Sequence, residues 1–208
     1  MPTKFVFFDL GNVLVRFSID RLINQVSEVL GANRETTKDI LFSDDLARKS
    51  ETGQVSQDMF FEHICSKVDS KPNPDKLLAA VNDIFWLNEP IVPITARLFE
   101  IGIPTGVLSN TSPWHWDYCK ATFPTILRYI PGNHVLSFNA GAMKPDPAIY
   151  EYAFGIASRA VPKIERSEIL FLDDLENNVA GAKQFGFAAV QYFPDSHDSI
   201  SLLENFIF

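Results

Sequence analysis

Cysteine is scarce in this chain and positive charge is outnumbered. Of 208 residues only two are cysteines, Cys65 and Cys119, far apart and without Cys-x-x-Cys spacing. A disulfide framework is therefore not what organises the fold, and both are expected as reduced thiols of a cytoplasmic protein. Lysine and arginine number 18 against 26 acidic residues, for a net charge of -8. That balance offers no basic face for nucleic acid. An anionic ligand would have to be held by local cations or a metal, not by the overall field. No apolar run approaches membrane-spanning length, and the N-terminal one stops at Asp9, unlike a signal peptide. Internal repeats and low-complexity linkers are lacking too. The expectation is a soluble protein with neither membrane nor nucleic-acid partners. What is present is apolar content: 46% hydrophobic against 21% charged residues, enough for one sizeable core or a core with an inserted subdomain.

The stretch Lys4 to Leu14 organises the rest. Phe5-Val6-Phe7-Phe8 runs straight into Asp9, and Gly11-Asn12 follows. A short apolar run closed by a turn signal predicts a strand buried on both faces. Asp9 then either caps the next helix or stands where open α/β sheets place their active sites. Ser18 or Asp20 can start a helix carrying Leu22, Ile23, Val26, Val29 and Leu30, with Gly31 as its stop. From about residue 33 to 88 the pattern is helical with no convincing strand. Another helix is predicted from Ile91 to Glu100. Further strands are predicted at Thr105–Leu108, His134–Phe138, Glu168–Leu172 and Ala188–Tyr192, with helices around Ile149–Ala157 and Val179–Phe185. The tail Ser201–Phe208 is apolar enough to dock as a helix or strand. Strands alternating with helices imply an α/β, doubly wound, mostly parallel (Rossmann-like) sheet. A small helical unit is inserted after the first strand, dividing the chain into a core of 1–16 and 91–208 and an insert of 17–90.

Lining up the strand ends brings Asp9, Ser109 and Asp173-Asp174 to one rim, with Lys144 at a loop-to-helix junction within reach. Ser109-Asn110 taken alone reads more readily as a turn and helix cap, and Lys144 as a solvated lysine. The adjacent aspartates are more telling. Beside Asp9 they repel and raise one another's pKa unless a cation holds them, and hard carboxylate oxygens with room for water suit Mg2+.

These residues resemble the four motifs of the haloacid dehalogenase-like hydrolase superfamily: Phe8-Asp9-Leu10-Gly11-Asn12-Val13, Val107-Leu108-Ser109-Asn110, Lys144 within Met143-Lys144-Pro145-Asp146-Pro147, and Phe171-Leu172-Asp173-Asp174-Leu175-Glu176-Asn177-Asn178. The helical insert corresponds to that family's C1-type cap. In detail the motifs are most similar to the bacterial α-D-glucose-1-phosphate phosphatase branch, and the phosphatase domain of soluble epoxide hydrolase has a similar fourth motif. The resemblance implies a phosphoric monoester hydrolase acting on a small phosphate ester, a sugar phosphate and perhaps a sugar 1-phosphate, as a monomer or homodimer. Asp9 would be the nucleophile that forms an aspartyl-phosphate. Mg2+ would bind Asp9, the Gly11 carbonyl and Asp174, with Asp173 acting through water or orienting the shell. Ser109, Asn110, Lys144 and the backbone N–H groups of Gly11 and Asn12 would hold the phosphoryl group.

One position departs from the pattern. Phosphatases of this family usually carry a second aspartate two residues after the nucleophile, which protonates the leaving oxygen; here that residue is Gly11. Losing a general acid typically costs about 10² to 10⁴ in rate. Either the site turns over weakly and serves as a phosphate-binding or scaffold protein, or the leaving group needs little help, as in a sugar 1-phosphate. A metal-independent 2-haloacid dehalogenase also lacks this acid, but paired carboxylates would repel its anionic substrate. Specificity is expected from Arg48, Lys49 and Glu51 in the insert and from Trp114, His115 and Trp116 after the second motif. For each, packing or simple solvation is the competing reading. Trp86 is expected to pack where insert meets core.

Overall fold

The computed structural model describes residues 2–69 and 71–196. Strand β1 (Phe5–Phe8) runs to Asp9, and a turn through Asn12 leads to β2 (Val15–Phe17). Five helices follow: α1 (Ile19–Leu30), α2 (Arg34–Phe42), α3 (Leu46–Glu51), α4 (Gln57–Ser66) and α5 (Pro74–Asn82). Ser18, Asn33, Ser56 and Asn73 start four of them, each side chain accepting from a backbone N–H in the first turn. The chain returns through β3 (Phe85–Leu87), which pairs antiparallel with β2. Then come α6 (Val92–Glu100), β4 (Thr105–Ser109), α7 (Pro113–Thr122), α8 (Pro124–Tyr129), β5 (Val135–Leu136) and α9 (Ser137–Ala140). The last elements are α10 (Pro147–Ala160), β6 (Ile169–Asp173), α11 (Glu176–Phe185) and β7 (Ala188–Gln191).

The main sheet has the order β5-β4-β1-β6-β7, and all its pairings are parallel. Because side chains alternate across a strand, each buried strand feeds two cores. Val6, Phe8, Val107, Leu170 and Leu172 enter one cluster, and Phe5, Phe7, Leu108, Ile169 and Phe171 enter the other, on the opposite face. This is the doubly wound α/β architecture expected from the alternating pattern. With β4 and β5 on one side of β1 and β6 and β7 on the other, the topology reverses at β1, and the crevice beyond its carboxyl end is where such sheets bind ligands. The helices between β2 and β3 close their own core around Leu22, Val26, Ile40, Phe60, Ile64 and Leu77, with Trp114 of α7 joining from the sheet side.

Three expectations need correction. Residues 33–88 do contain a strand, β3, and its partner β2 lies on the far side of the insert, so no local periodicity could reveal either. The third parallel strand is only Val135–Leu136, because Ser137 turns the chain into α9 and its hydroxyl bonds to the backbone of Thr111. Trp86 lies on β3 opposite Arg16 but is 43% exposed, so it packs less than expected. The predicted docking of Ser201–Phe208 falls outside the described residues. Cys65 and Cys119 are free thiols. Among the described residues no helix is long and apolar enough to cross a membrane.

Candidate active site

Three strand ends and one loop build the site. Asp9 follows β1, Ser109 ends β4 and Asp173 ends β6, all at the carboxyl edge of the sheet. Lys144, in the loop between α9 and α10, reaches across them. Its ammonium lies 2.8 Å from Asp9 Oδ1 and 2.6 Å from Asp173 Oδ2, and it donates to the Leu108 carbonyl at 3.0 Å. Three acceptors around three N–H donors leave the lysine no rotational freedom. Its backbone is held as well: the Asn110 side chain accepts from Lys144 N at 2.8 Å and donates to Lys144 O at 3.0 Å. Asp173 is anchored from the other side by Leu175 N and by the Asn178 amide of α11, at 2.8 to 3.0 Å. Asn178 is steadied in turn where its carbonyl accepts from the buried Tyr150 hydroxyl at 2.7 Å. The Ser109 hydroxyl lies beside the Asp9 carboxylate and favours its charged form.

Burial pushes the Asp9 carboxyl up to about 7; Lys144 pulls it down and Asp173 pushes it up again. Burial alone would depress Lys144, but Asp9 and Asp173 overcome it and raise its pKa. The lysine is thus charged and shared between two acids, with Asp174 close by. One oxygen from each of Asp9, Asp173 and Asp174 falls within 4.8 Å of the others. Such a cluster of hard oxygens beside a single ammonium suits a small divalent cation such as Mg2+. Both Asp173 oxygens are already taken by Lys144, Leu175 and Asn178, whereas Asp174 accepts through Oδ2 from Asn12 at 2.9 Å. Asp9 and Asp174 therefore have the freer ligand oxygens. Asn12 holds its side chain on Asp174 from a left-handed turn, φ 54°.

Over this rim lies a cavity of about 180 Å3 between the sheet edge and the insert. Most of its wall is apolar: Leu10, Phe17, Ile19, Leu22, Phe60, Phe85 and Trp114 contribute, with Ser109, Asn110, Ser112, Glu51 and His115 as polar points. Gly11 is part of the wall, and a Cβ there would sit 3.0 Å from the Phe17 ring. The space that a side chain at position 11 would use is filled by an aromatic ring.

The residues expected to confer specificity divide. Trp114 and His115 line the cavity, but Trp116 points into the sheet core, its ring 4.9 Å from that of His134. Arg48 and Lys49 do not line it either; both are exposed, and Lys49 Nζ donates to the Asp44 carbonyl at 2.8 Å. The phase of α3 turns Ala47, Ser50 and Glu51 toward the cavity instead. Sequence reasoning missed Phe17 and Tyr150 and gave Asn178 no role beyond its place in the fourth motif, whereas Glu51, expected alongside Arg48 and Lys49, does line the cavity. The signal for Asn178 was its place at the end of the fourth motif, in the first turn of the helix after the paired aspartates.

A family model for haloacid dehalogenase-like hydrolases matches residues 3–186. The chain is 25% identical over 196 residues to a D-ribitol-5-phosphate phosphatase of Bacteroides thetaiotaomicron, covering 90% of this chain and 91% of the relative. A HAD family enzyme from the same organism superposes with a TM-score of 0.85 at 22% identity, covering 97% of this chain and 99% of that one. A wild-type complex of that enzyme with magnesium and inorganic phosphate superposes at 0.79 and 22% identity, covering 93% and 96%.

Proposed function

The chain belongs to the haloacid dehalogenase-like hydrolase family, and from that premise we propose that it is a magnesium-dependent phosphatase of small phosphorylated metabolites, sugar phosphates foremost, working through an aspartyl-phosphate on Asp9. The observation that carries this reading is Lys144, whose one ammonium lies within 2.8 Å of two buried carboxylates while a third aspartate stands beside them. The arrangement is short of positive charge, and a divalent cation with a phosphoryl group meets that shortage. A carboxylate substrate of a dehalogenase would meet repulsion instead. The phosphatase relative and the fold neighbour crystallised with magnesium and phosphate support the choice.

In this reading a carboxylate oxygen of Asp9 attacks phosphorus in line, and the bond to the leaving oxygen breaks. The Ser109 hydroxyl and Lys144 hold phosphoryl oxygens, and Asn110 keeps Lys144 in place. Asp9, Asp174 and the Gly11 carbonyl would hold magnesium, with Asp173 orienting its shell; when bound, the ion neutralises charge on the transferring group. Water then cleaves the acyl phosphate and restores Asp9. Residues 17–90 act as a cap over the core of 1–16 and 91–208. Because Phe17 fills the space beside Gly11, no acid acts from that position, which favours weakly basic leaving groups such as an anomeric oxygen. Sugar 1-phosphates should therefore outrank the matching 6-phosphates.

The test is phosphate release from p-nitrophenyl phosphate and paired sugar 1- and 6-phosphates, with and without Mg2+, beside Asp9→Asn. Magnesium-dependent release that Asp9→Asn abolishes is expected. No release from any ester, with phosphate still stabilising the fold, would favour a phosphate-binding protein. Turnover of 6-phosphates ahead of 1-phosphates would sink the leaving-group argument.

A further inference from the structure

The rim explains how phosphate is held but supplies no proton to the leaving oxygen. Position 11 has no side chain and its space is closed by Phe17. Two titratable side chains line the cavity from other elements: His115 on α7 and Glu51 at the end of α3. They differ in what they can give. Burial pushes His115 down to about 4, and it hydrogen-bonds the backbone of Val81. Its Nε2 is buried without a partner among the described residues. With the Nδ1 proton committed to Val81, Nε2 is a bare acceptor, suited to a substrate hydroxyl and unable to supply a proton.

Glu51 is the opposite case. Its carboxyl accepts no hydrogen bond from the described residues, and it stands near enough to Lys144 to feel the ammonium charge. Burial raises its pKa against that pull. Its neighbours fix where it stands. Gly53, at φ +73°, brings the turn after α3 so close to the core that an added Cβ would lie 2.5 Å from the Phe138 carbonyl oxygen. The hydroxyls of Ser50 and Thr52 bond back to the helix at Leu46 and Arg48, holding the segment on either side. This turn packs the insert against α9 and sets Glu51 on the wall of the cavity that Ser109 and Asn110 also line.

We propose that Glu51 is the general acid–base of this site, supplied by the insert in place of the side chain that Gly11 lacks. This rests on the phosphatase reading above. As the bond from phosphorus to the leaving oxygen breaks, the Glu51 carboxyl passes its proton to that oxygen and becomes a carboxylate. That carboxylate then takes a proton from the water attacking the aspartyl-phosphate. The bond to the Asp9 oxygen breaks, Asp9 is restored as a carboxylate, and Glu51 is again protonated when phosphate departs. Acid help matters most for strongly basic leaving groups, so Glu51 also sets how far turnover extends beyond 1-phosphates.

The experiment is rapid-mixing kinetics of the magnesium-loaded protein and its Glu51→Gln and His115→Gln variants, with p-nitrophenyl phosphate and an alkyl phosphate. For Glu51→Gln, alkyl ester cleavage should fall about 10² to 10³-fold. The first-turnover burst of p-nitrophenol should change less than about threefold, followed by slow steady release as the aspartyl-phosphate accumulates. Equal loss on both esters in the first turnover, or loss on neither, overturns the assignment. So does a steepened leaving-group dependence in His115→Gln alone. If the unsubstituted protein shows no Asp9-dependent turnover, the phosphatase reading itself has failed, which is a different result.

Discussion

The rim of the sheet and the helical insert above it hold their side chains in opposite ways. At the rim nearly every polar atom has a partner: Lys144 bridges Asp9 and Asp173, Asn178 braces Asp173, and Asn110 clamps the Lys144 backbone. The insert offers the cavity mainly hydrocarbon, from Ile19, Leu22, Phe42 and Phe60. A fully satisfied buried network fixes atoms to within a hydrogen bond and fails sharply when one member goes. Hydrocarbon walls repack and tolerate exchange at roughly constant volume. Position is therefore exacting at the rim and adaptable in the insert, with the turn at Glu51–Gly53 as the place where the insert is held as tightly as the rim.

Breaking the rim should give the largest effect. Lys144→Met leaves Asp9 and Asp173 buried without their cation, and losing one partner of a buried pair costs about 3–5 kcal/mol. Denaturant unfolding should show that loss, phosphate release should vanish, and added Mg2+ should recover part of the stability but none of the activity. Full stability without metal would mean that the network is looser than its distances suggest. Gly53→Ala comes next. It combines a left-handed backbone with a clash on Phe138, worth about 1–3 kcal/mol as overpacking. Its turnover loss should be greater on alkyl than on aryl esters, since the turn carries Glu51. Were it as mild as an ordinary surface change, the tight junction would not matter.

The smallest effect concerns the seam between the regions. His115 is held near 4 by burial, below its ordinary 6.5. An unfolded chain binds a proton there between those values while the folded one does not. This stability is present above about pH 6.5 and is lost as pH falls toward 4, amounting to at most about 3 kcal/mol. Asp9, raised to about 7, works in the other direction in the metal-free protein, so the comparison must be between variants. His115→Gln should gain on the unsubstituted protein by about 2 kcal/mol between pH 7 and pH 4, followed by thermal unfolding. An unchanged difference across that range would place His115 in contact with solvent.

How much of this the sequence discloses depends on range. Phe5–Phe8 announces β1 because both faces are buried, and Asp9 ends it; the same logic finds β4 and β6, while the half-buried edge strand β7 shows as the short apolar run after Gly186. By contrast, β2 and β3 pair across the whole insert, the aromatics of α7 are spread around the helix and leave no clear apolar stripe, and α8 is only six residues long. Lys144 is placed within reach of the rim by its loop-to-helix junction, but nothing in Met143-Lys144-Pro145 tells a buried lysine from a solvated one, and the family resemblance decides it. Arg48, Lys49 and Glu51 qualify alike by polarity, yet helix phase, which polarity does not report, aims Glu51 inward and the other two away. The ring of Phe17 over Gly11 depends on where β2 sits and leaves no trace in composition.

The β2–β3 ribbon has a consequence for how such a molecule can change. The two strands lie side by side, and Asn88 ties their base to the core through Leu14, Val13 and Tyr192. The chain thus leaves the core and comes back one strand spacing away. Closing a longer loop across a joint already made adds only a logarithmic entropy, about 0.6 kcal/mol per doubling of length. Helices can be lengthened, shortened or exchanged beyond Phe17 and Phe85 without moving any strand of the main sheet. The ribbon works as a graft point, where new selectivity can be attached to an unaltered set of strand ends.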